Sequence, residues 1–95
     1  MADTDAPAET VVPQLGRGVR LRHNKNDDSY VLLAPEKMFE LDQISAEILT
    51  RVDGERSLAA IVDDLAAAFN APRDEILGDV QAFLKDFAAK RVLDL

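Results

Sequence analysis

Hydrophobic positions along the chain follow two different periods. From Gly18 onward, Val19, Leu21 and His23 alternate with Arg20 and Arg22, the period of two that gives a strand one buried and one wet face. Asn24 to Asp28 is a cluster of turn formers, and Ser29 to Leu33 is a second β-rich run. Two such runs around a polar loop predict a hairpin. Ala34-Pro35-Glu36-Lys37 interrupts the run, because a proline has no N–H to give to a ladder. Met38 to Leu41 then reads as a short third strand, with Phe39 and Leu41 on one face and Met38 and Glu40 on the other.

The second half changes to helical spacing. Asp42 is a good N-cap for a first helix carrying Ile44, Ile48, Leu49 and Val52, with Gly54 as its stop. Ser57 caps a second helix striped by Leu58, Ile61, Val62, Leu65 and Phe69, and Asn70-Ala71-Pro72 ends it. Pro72 is expected at the first position of a third helix, with Asp74 and Glu75 in the turn that the helix dipole favours for acids. Ile76, Val80, Phe83 and Phe87 are its core stripe, and Val92-Leu93 a last extended scrap. The fold class expected is α+β: a three-stranded antiparallel sheet, made of a hairpin and a short third strand, followed by three helices in a winged helix-turn-helix-like arrangement. Residues 1–12, small, acidic and without apolar periodicity, read as a disordered tail or fusion linker. Residues 13–95 are the domain.

Composition then removes whole classes of function. Ninety-five residues make one small core, and 47 % apolar with 31 % charged residues is a globular balance. The chain contains no cysteine, which excludes disulfides, thiolate metal sites and cysteine nucleophiles. Its single histidine, His23, cannot build a His-rich metal centre. No apolar run approaches the roughly 18–20 residues of a membrane span, and no secretory signal opens the sequence. A cytoplasmic protein without cofactor or metal is expected.

The remaining chemistry is sparse. Asp63-Asp64 are helix neighbours that face different directions, and Asp27-Asp28 sit in a turn, so neither pair converges as an acid/base couple must. The expectation is no enzyme. A DNA-binding winged helix is the alternative suggested by the outline, but a recognition helix offers Arg, Lys, Asn or Gln to the groove. The second helix has no basic residue, and the net charge of −7 opposes contact with phosphates; no nucleic-acid partner is expected. Against this acidic background, Arg17, Arg20, Arg22 and Lys25 cluster at the first strand. Of these, Arg20, Arg22 and Lys25 are candidates for docking an acidic partner; charge placed to discourage edge pairing is the plain alternative. A short third strand after a proline break is expected at a sheet edge. With a flank of the third helix beside it, the strand would make a groove for an extended peptide. The candidate peptide-binding residues are Lys37, Met38, Phe39, Glu40 and Leu41 on the strand, with Leu77, Val80, Gln81, Leu84 and Ala88 on the helix.

Six pieces, in order, carry a resemblance: PQLGRGVRLR (Pro13–Arg22), VLLAPE (Val31–Glu36), Leu41-Asp42, AEIL (Ala46–Leu49), Asp53-Gly54, and Asp79-Val80 with Phe83-Leu84. In this order and spacing the chain resembles PqqD, the pyrroloquinoline quinone synthesis protein D family, from about Pro13 to Leu95. One departure is Ala89-Lys90-Arg91, where the family leads one to expect a glycine after the third helix. The resemblance implies a non-catalytic peptide chaperone of the kind that recognises precursors of ribosomally made, modified peptides. Such a protein binds the leader of the precursor PqqA as an added strand between the third strand and the third helix. It presents that peptide to the radical S-adenosylmethionine enzyme PqqE in a ternary complex. Fusion to PqqC, or association with it, is also implied for some members. A monomer or weak dimer is expected.

Overall fold

The computed structural model describes residues 6–95. The chain runs β1 (Gln14–Leu15), β2 (Arg20–Asn24), β3 (Ser29–Ala34), β4 (Lys37–Leu41), α1 (Gln43–Leu49), α2 (Leu58–Phe69), α3 (Arg73–Ala89) and β5 (Leu93–Asp94). β2, β3 and β4 form an antiparallel sheet in that order, and three helices follow, as the α+β reading expects. The third strand of the sequence reading is therefore β4.

Register sorts the sheet into two faces. Leu21, Leu32 and Phe39 align across the three strands, as do His23, Tyr30 and Leu41. This is the inner face, and Leu32 at its centre is fully buried. Helices α1, α2 and α3 supply Ile48, Leu49, Leu58, Ile61, Val80 and Leu84 to the same core. The turn joining β3 to β4 has two corner residues, Pro35 and Glu36, the latter at φ 60°, the pattern of a type II turn with proline first and a left-handed residue second.

The helix starts follow their caps. The Asp42 carboxylate accepts from the Ser45 N–H at 2.8 Å and the Ser57 hydroxyl from the Ala60 N–H at 3.2 Å, satisfying first-turn donors that have no intrahelical partner. Pro72 stands one position earlier than expected, as the N-cap of α3. The α1 helix stops at Leu49, before Gly54 is reached, and Ile44, expected in its core stripe, is 59 % exposed. Phe69, also expected inside, lies at the α2 terminus and is 43 % exposed.

The end of α3 resolves the missing glycine. The Arg91 N–H donates to the Ala88 carbonyl and the Val92 N–H to the Phe87 carbonyl, which is a Schellman closure. Arg91 takes the left-handed φ of 65° that glycine usually supplies there. The chain then reverses, and β5 pairs with β1 in a two-stranded ribbon, Leu15 opposite Leu93. Here Gly16 has a close-approach role. Its N–H donates to the Val92 carbonyl at 3.0 Å, and a Cβ on it would lie 3.3 Å from the Val92 carbonyl carbon.

The tail boundary drawn at Val12 needs correction for the residues before it. Pro7 is buried. The Glu9 and Val11 carbonyls accept from the Ala59 and Leu58 N–H groups at the start of α2, at 3.0 and 2.7 Å. Gln81 on α3 donates to the Pro7 carbonyl at 2.9 Å, and Arg73 holds both Glu9 and Asp63. Residues 7–11 thus form an N-terminal strap, which low hydrophobicity conceals because its polar links run through backbone carbonyls and Glu9. Residues 1–5, part of the same expectation, lie outside the described residues.

Candidate functional site

Among the described residues, β4 borders the sheet and pairs only with β3. In an antiparallel ladder, paired residues alternate between those that exchange hydrogen bonds and those that do not. Counted from the tight turn, Ala34 and Lys37 close the first bonded pair, so Phe39 and Leu41 also bond to β3. The N–H and C=O groups of Met38 and Glu40 point away from the sheet. Among the described residues, no backbone hydrogen bond from another element reaches them.

Beside this edge lies an aromatic seam. Phe39 faces inward, and its ring lies 5.9 Å from that of Phe87 on α3; Phe87 stacks on Phe83 at 4.3 Å. All three are half-buried, so part of each ring reaches solvent. Lys90 sits 5.6 Å above the Phe87 ring and pairs with Asp86 at 2.7 Å, closing the seam at the C-terminal end of α3. At the opposite end of β4, Ile44 stands exposed just past Leu41.

The candidate residues divide accordingly. Met38 and Glu40 are exposed and carry the outward backbone groups, while Phe39 and Leu41 face the helices. Lys37 is exposed beside the turn. The helix wall is different from the expected one. Val80 and Leu84 are sealed in the core, 1 % and 0 % exposed, and have no surface to offer a peptide. Gln81 is turned to the N-terminal strap, and Leu77 and Ala88 share its flank at helical spacing. The flank nearest β4 is that of Phe83 and Phe87, which the apolar stripe had assigned wholly to the core. Two aromatics four apart on a helix, with a third on the edge strand, were the available signal.

Of the three docking candidates, Arg20 and Arg22 share the outer face of β2. Lys25 lies apart, in the turn with Asp27 and Asp28. His23 is occupied locally: its ring lies 4.6 Å from Tyr30, and its Nε2 is 2.6 Å from Asp28. Asp63 is tied to Arg73, and Asp64 to Arg51. No group of three potential metal ligands occurs among the described residues, and no described helix is long and apolar enough to cross a membrane.

The family model of coenzyme PQQ synthesis protein D (PqqD) matches residues 29–93. The chain belongs to the PqqD family. Relatives agree over nearly the full length. A "PqqA binding protein" of Xanthomonas oryzae pv. oryzae is 46 % identical over 83 residues, covering 87 % of this chain and 90 % of the relative. One of the same description from Rhizobium meliloti is 38 % identical, covering 99 % and 96 %. Among solved structures, the solution structure of the PqqD truncation of Methylobacterium extorquens PqqCD superposes with a TM-score of 0.81. Its identity is 36 % and coverage 98 % and 99 %, and it is described as a stand-alone recognition element for ribosomally synthesized, modified peptides. The crystal structure of PqqD from Xanthomonas campestris gives 0.60 at 43 % identity, over 94 % and 99 % of the two chains.

Proposed function

We propose that this chain binds the leader of the precursor peptide PqqA as a fourth strand on β4 and presents it, without catalysing a reaction itself, to the radical S-adenosylmethionine enzyme PqqE in the cytoplasm. The observation that carries this reading is the outward pair of backbone donors and acceptors at Met38 and Glu40, set beside the exposed edges of Phe39, Phe83 and Phe87. An extended peptide there gains main-chain hydrogen bonds from the strand and places alternate apolar side chains over the aromatic seam. Relatives described as PqqA binding proteins support the identity of the peptide.

The energetics suit a carrier. A disordered leader loses conformational freedom when it zips onto the edge, and backbone bonds with aromatic contacts offset that loss. A net 8–9 kcal/mol, roughly micromolar to submicromolar binding, holds the peptide and still permits its release. Binding of this kind depends weakly on salt, whereas duplex binding loses affinity steeply. Titrating precursor peptide and duplex DNA at 50 and 500 mM salt tests the reading. Peptide affinity that changes less than about threefold supports it; absence of peptide binding with salt-sensitive DNA binding overturns it.

A further inference from the structure

Among the described residues, four that are not glycine have a positive φ: Asp28, Glu36, Asn70 and Arg91. Asp and Asn tolerate the left-handed region because their short polar side chains bond locally. Glu36 sits in the second corner of the tight turn opened by Pro35. Arg91 is the outlier. It fills the left-handed position of the Schellman closure at φ 65°, where glycine would carry no Cβ penalty. Its side chain is exposed, and among the described residues its guanidinium has no hydrogen-bond or ion-pair partner. Arg51, Arg56 and Arg73, by contrast, each hold carboxylates. Backbone strain that no polar contact of the fold offsets points to a use outside the fold.

The place of Arg91 in the fold says what that use is. It follows Lys90, whose ammonium lies 5.6 Å above the Phe87 ring at the end of the aromatic seam. The loop between β1 and β2 ties this helix end to the turn that begins β4. A Cβ on Gly16 would lie 3.5 Å from the Arg91 carbonyl oxygen, and one on Gly18 3.4 Å from the Pro35 ring. Arg17, Lys37, Lys90 and Arg91, all exposed, are thereby gathered at the Lys37 end of the β4 edge. The acids there are Glu36, beside Lys37, and Asp86, which Lys90 already holds; Asp94 lies farther along the ribbon, opposite Gln14. The other end is acidic, with Asp42 after β4 and Asp79 one turn before Phe83 on α3. In a chain of net charge −7, one mouth of the edge is therefore cationic and the other anionic.

We infer that Arg91 is a specificity-determining residue of the peptide site, where it pairs with an acidic side chain of the leader just beyond the Lys37 end of β4. The inference deepens the proposed strand addition and rests on it. Backbone bonds to an edge strand tolerate almost any sequence, and a peptide that slips by two residues keeps every bond and the same inward face. A carboxylate held at one mouth removes that freedom. It fixes the register and the direction of the peptide, and it is complementary to the cations gathered there. An exposed pair of this kind changes affinity only about threefold to fivefold, so it selects the register without preventing release.

The test is calorimetric titration of PqqA into the full chain as wild type, Arg91→Gly and Arg91→Lys, with thermal melts of each. The peptide is used as it is and with each acidic residue replaced in turn by its amide. Arg91→Gly is expected to move stability and affinity in opposite directions. Relief of the left-handed arginine raises the thermal midpoint by roughly 3–8 °C, while loss of the cation weakens PqqA binding about threefold or more. Arg91→Lys, with the charge kept, should bind within twofold of wild type. One acidic position of the peptide should cost wild type about threefold when amidated and cost Arg91→Gly nothing, the non-additivity of a direct pair. PqqA affinity within twofold of wild type in Arg91→Gly, an equal loss in Arg91→Lys, a midpoint that does not rise, or the absence of such an acidic position overturns the inference. In each of those cases strand addition stands if Glu40→Pro still weakens binding. Wild type that fails to bind PqqA removes the strand-addition reading and the role of Arg91 with it.

Discussion

The Phe39 ring on the edge strand and the Phe87 ring on α3 lie 5.9 Å apart, and this pair joins the sheet to the last helix beside the open edge of β4. The contact places an apolar floor next to two outward-facing backbone units. Both parts of a strand-addition site thus come from residues two to four positions apart on two elements.

Loss of the floor is expected to weaken peptide binding more than it weakens the fold. Phe83→Ala and Phe87→Ala each remove half-buried aromatic surface and one side of a stacked pair. Each should cost about 2–3 kcal/mol of stability, at or below the low end for buried phenylalanine, and about tenfold or more in peptide affinity. Denaturant melts and calorimetry check the two effects separately. Gln81→Ala, on the strap flank, should leave peptide affinity within twofold.

Proline separates the two sets of backbone groups on β4. At Glu40 the N–H points outward, so Glu40→Pro deletes one donor from the open edge and keeps the ladder to β3. At Phe39 the N–H belongs to the ladder, and Phe39→Pro also removes an inward ring. Circular dichroism should show the first variant folded and the second severely destabilised. Calorimetry should show at least a tenfold loss of peptide affinity for Glu40→Pro.

The strap at Pro7 to Val11 supplies acceptors to two first-turn donors of α2 and a carboxylate to Arg73. A chain beginning at Pro13 leaves these donors to solvent and uncovers the flank around Gln81. Two lost hydrogen bonds at about 1 kcal/mol each predict a thermal midpoint lower by roughly 8–15 °C, with peptide affinity unchanged because the strap lies away from β4.

Acid should weaken the fold through its caps. The Ser45 backbone N–H, and then its side chain, hold the Asp42 carboxyl below its ordinary range. Asp53 is lowered by the Arg56 and Glu55 N–H groups. A carboxyl with a folded pKa below its unfolded value stabilises the protein above the unfolded value. That contribution disappears as pH falls through the folded value. Urea midpoints should therefore fall between pH 5 and pH 2.5. Asp42→Ala should lose about 1 kcal/mol at pH 7 and show a shallower decline in acid; an unchanged decline would contradict this account of the cap.

Much of this architecture was readable from residue order. Asp42 and Ser57 mark helix starts by their cap chemistry, and the alternation from Val19 to His23 fixes which face of β2 is wet. The short run after Pro35 announces a border strand. The helix flank was harder to read, because Val80 and Leu84 look identical to groove-lining residues until α2 is packed against them. Phe83 and Phe87, conversely, look like core until β4 is placed beside α3. Ile44 fits a core stripe, yet it sits in the first turn of a seven-residue helix that begins where the sheet ends. The strap was hidden altogether, since its polar links use backbone carbonyls and Glu9, whereas hydropathy patterning registers neither.

An amide chemical-shift titration of the full chain with PqqA addresses strand addition most directly. The account predicts that the Met38 and Glu40 amide protons move downfield and become protected from exchange, accompanied by shifts of the Phe39, Phe83 and Phe87 ring signals. Perturbations confined to the Leu77–Gln81–Ala88 flank, with the Met38 and Glu40 amides unmoved and still exchanging freely, would contradict it.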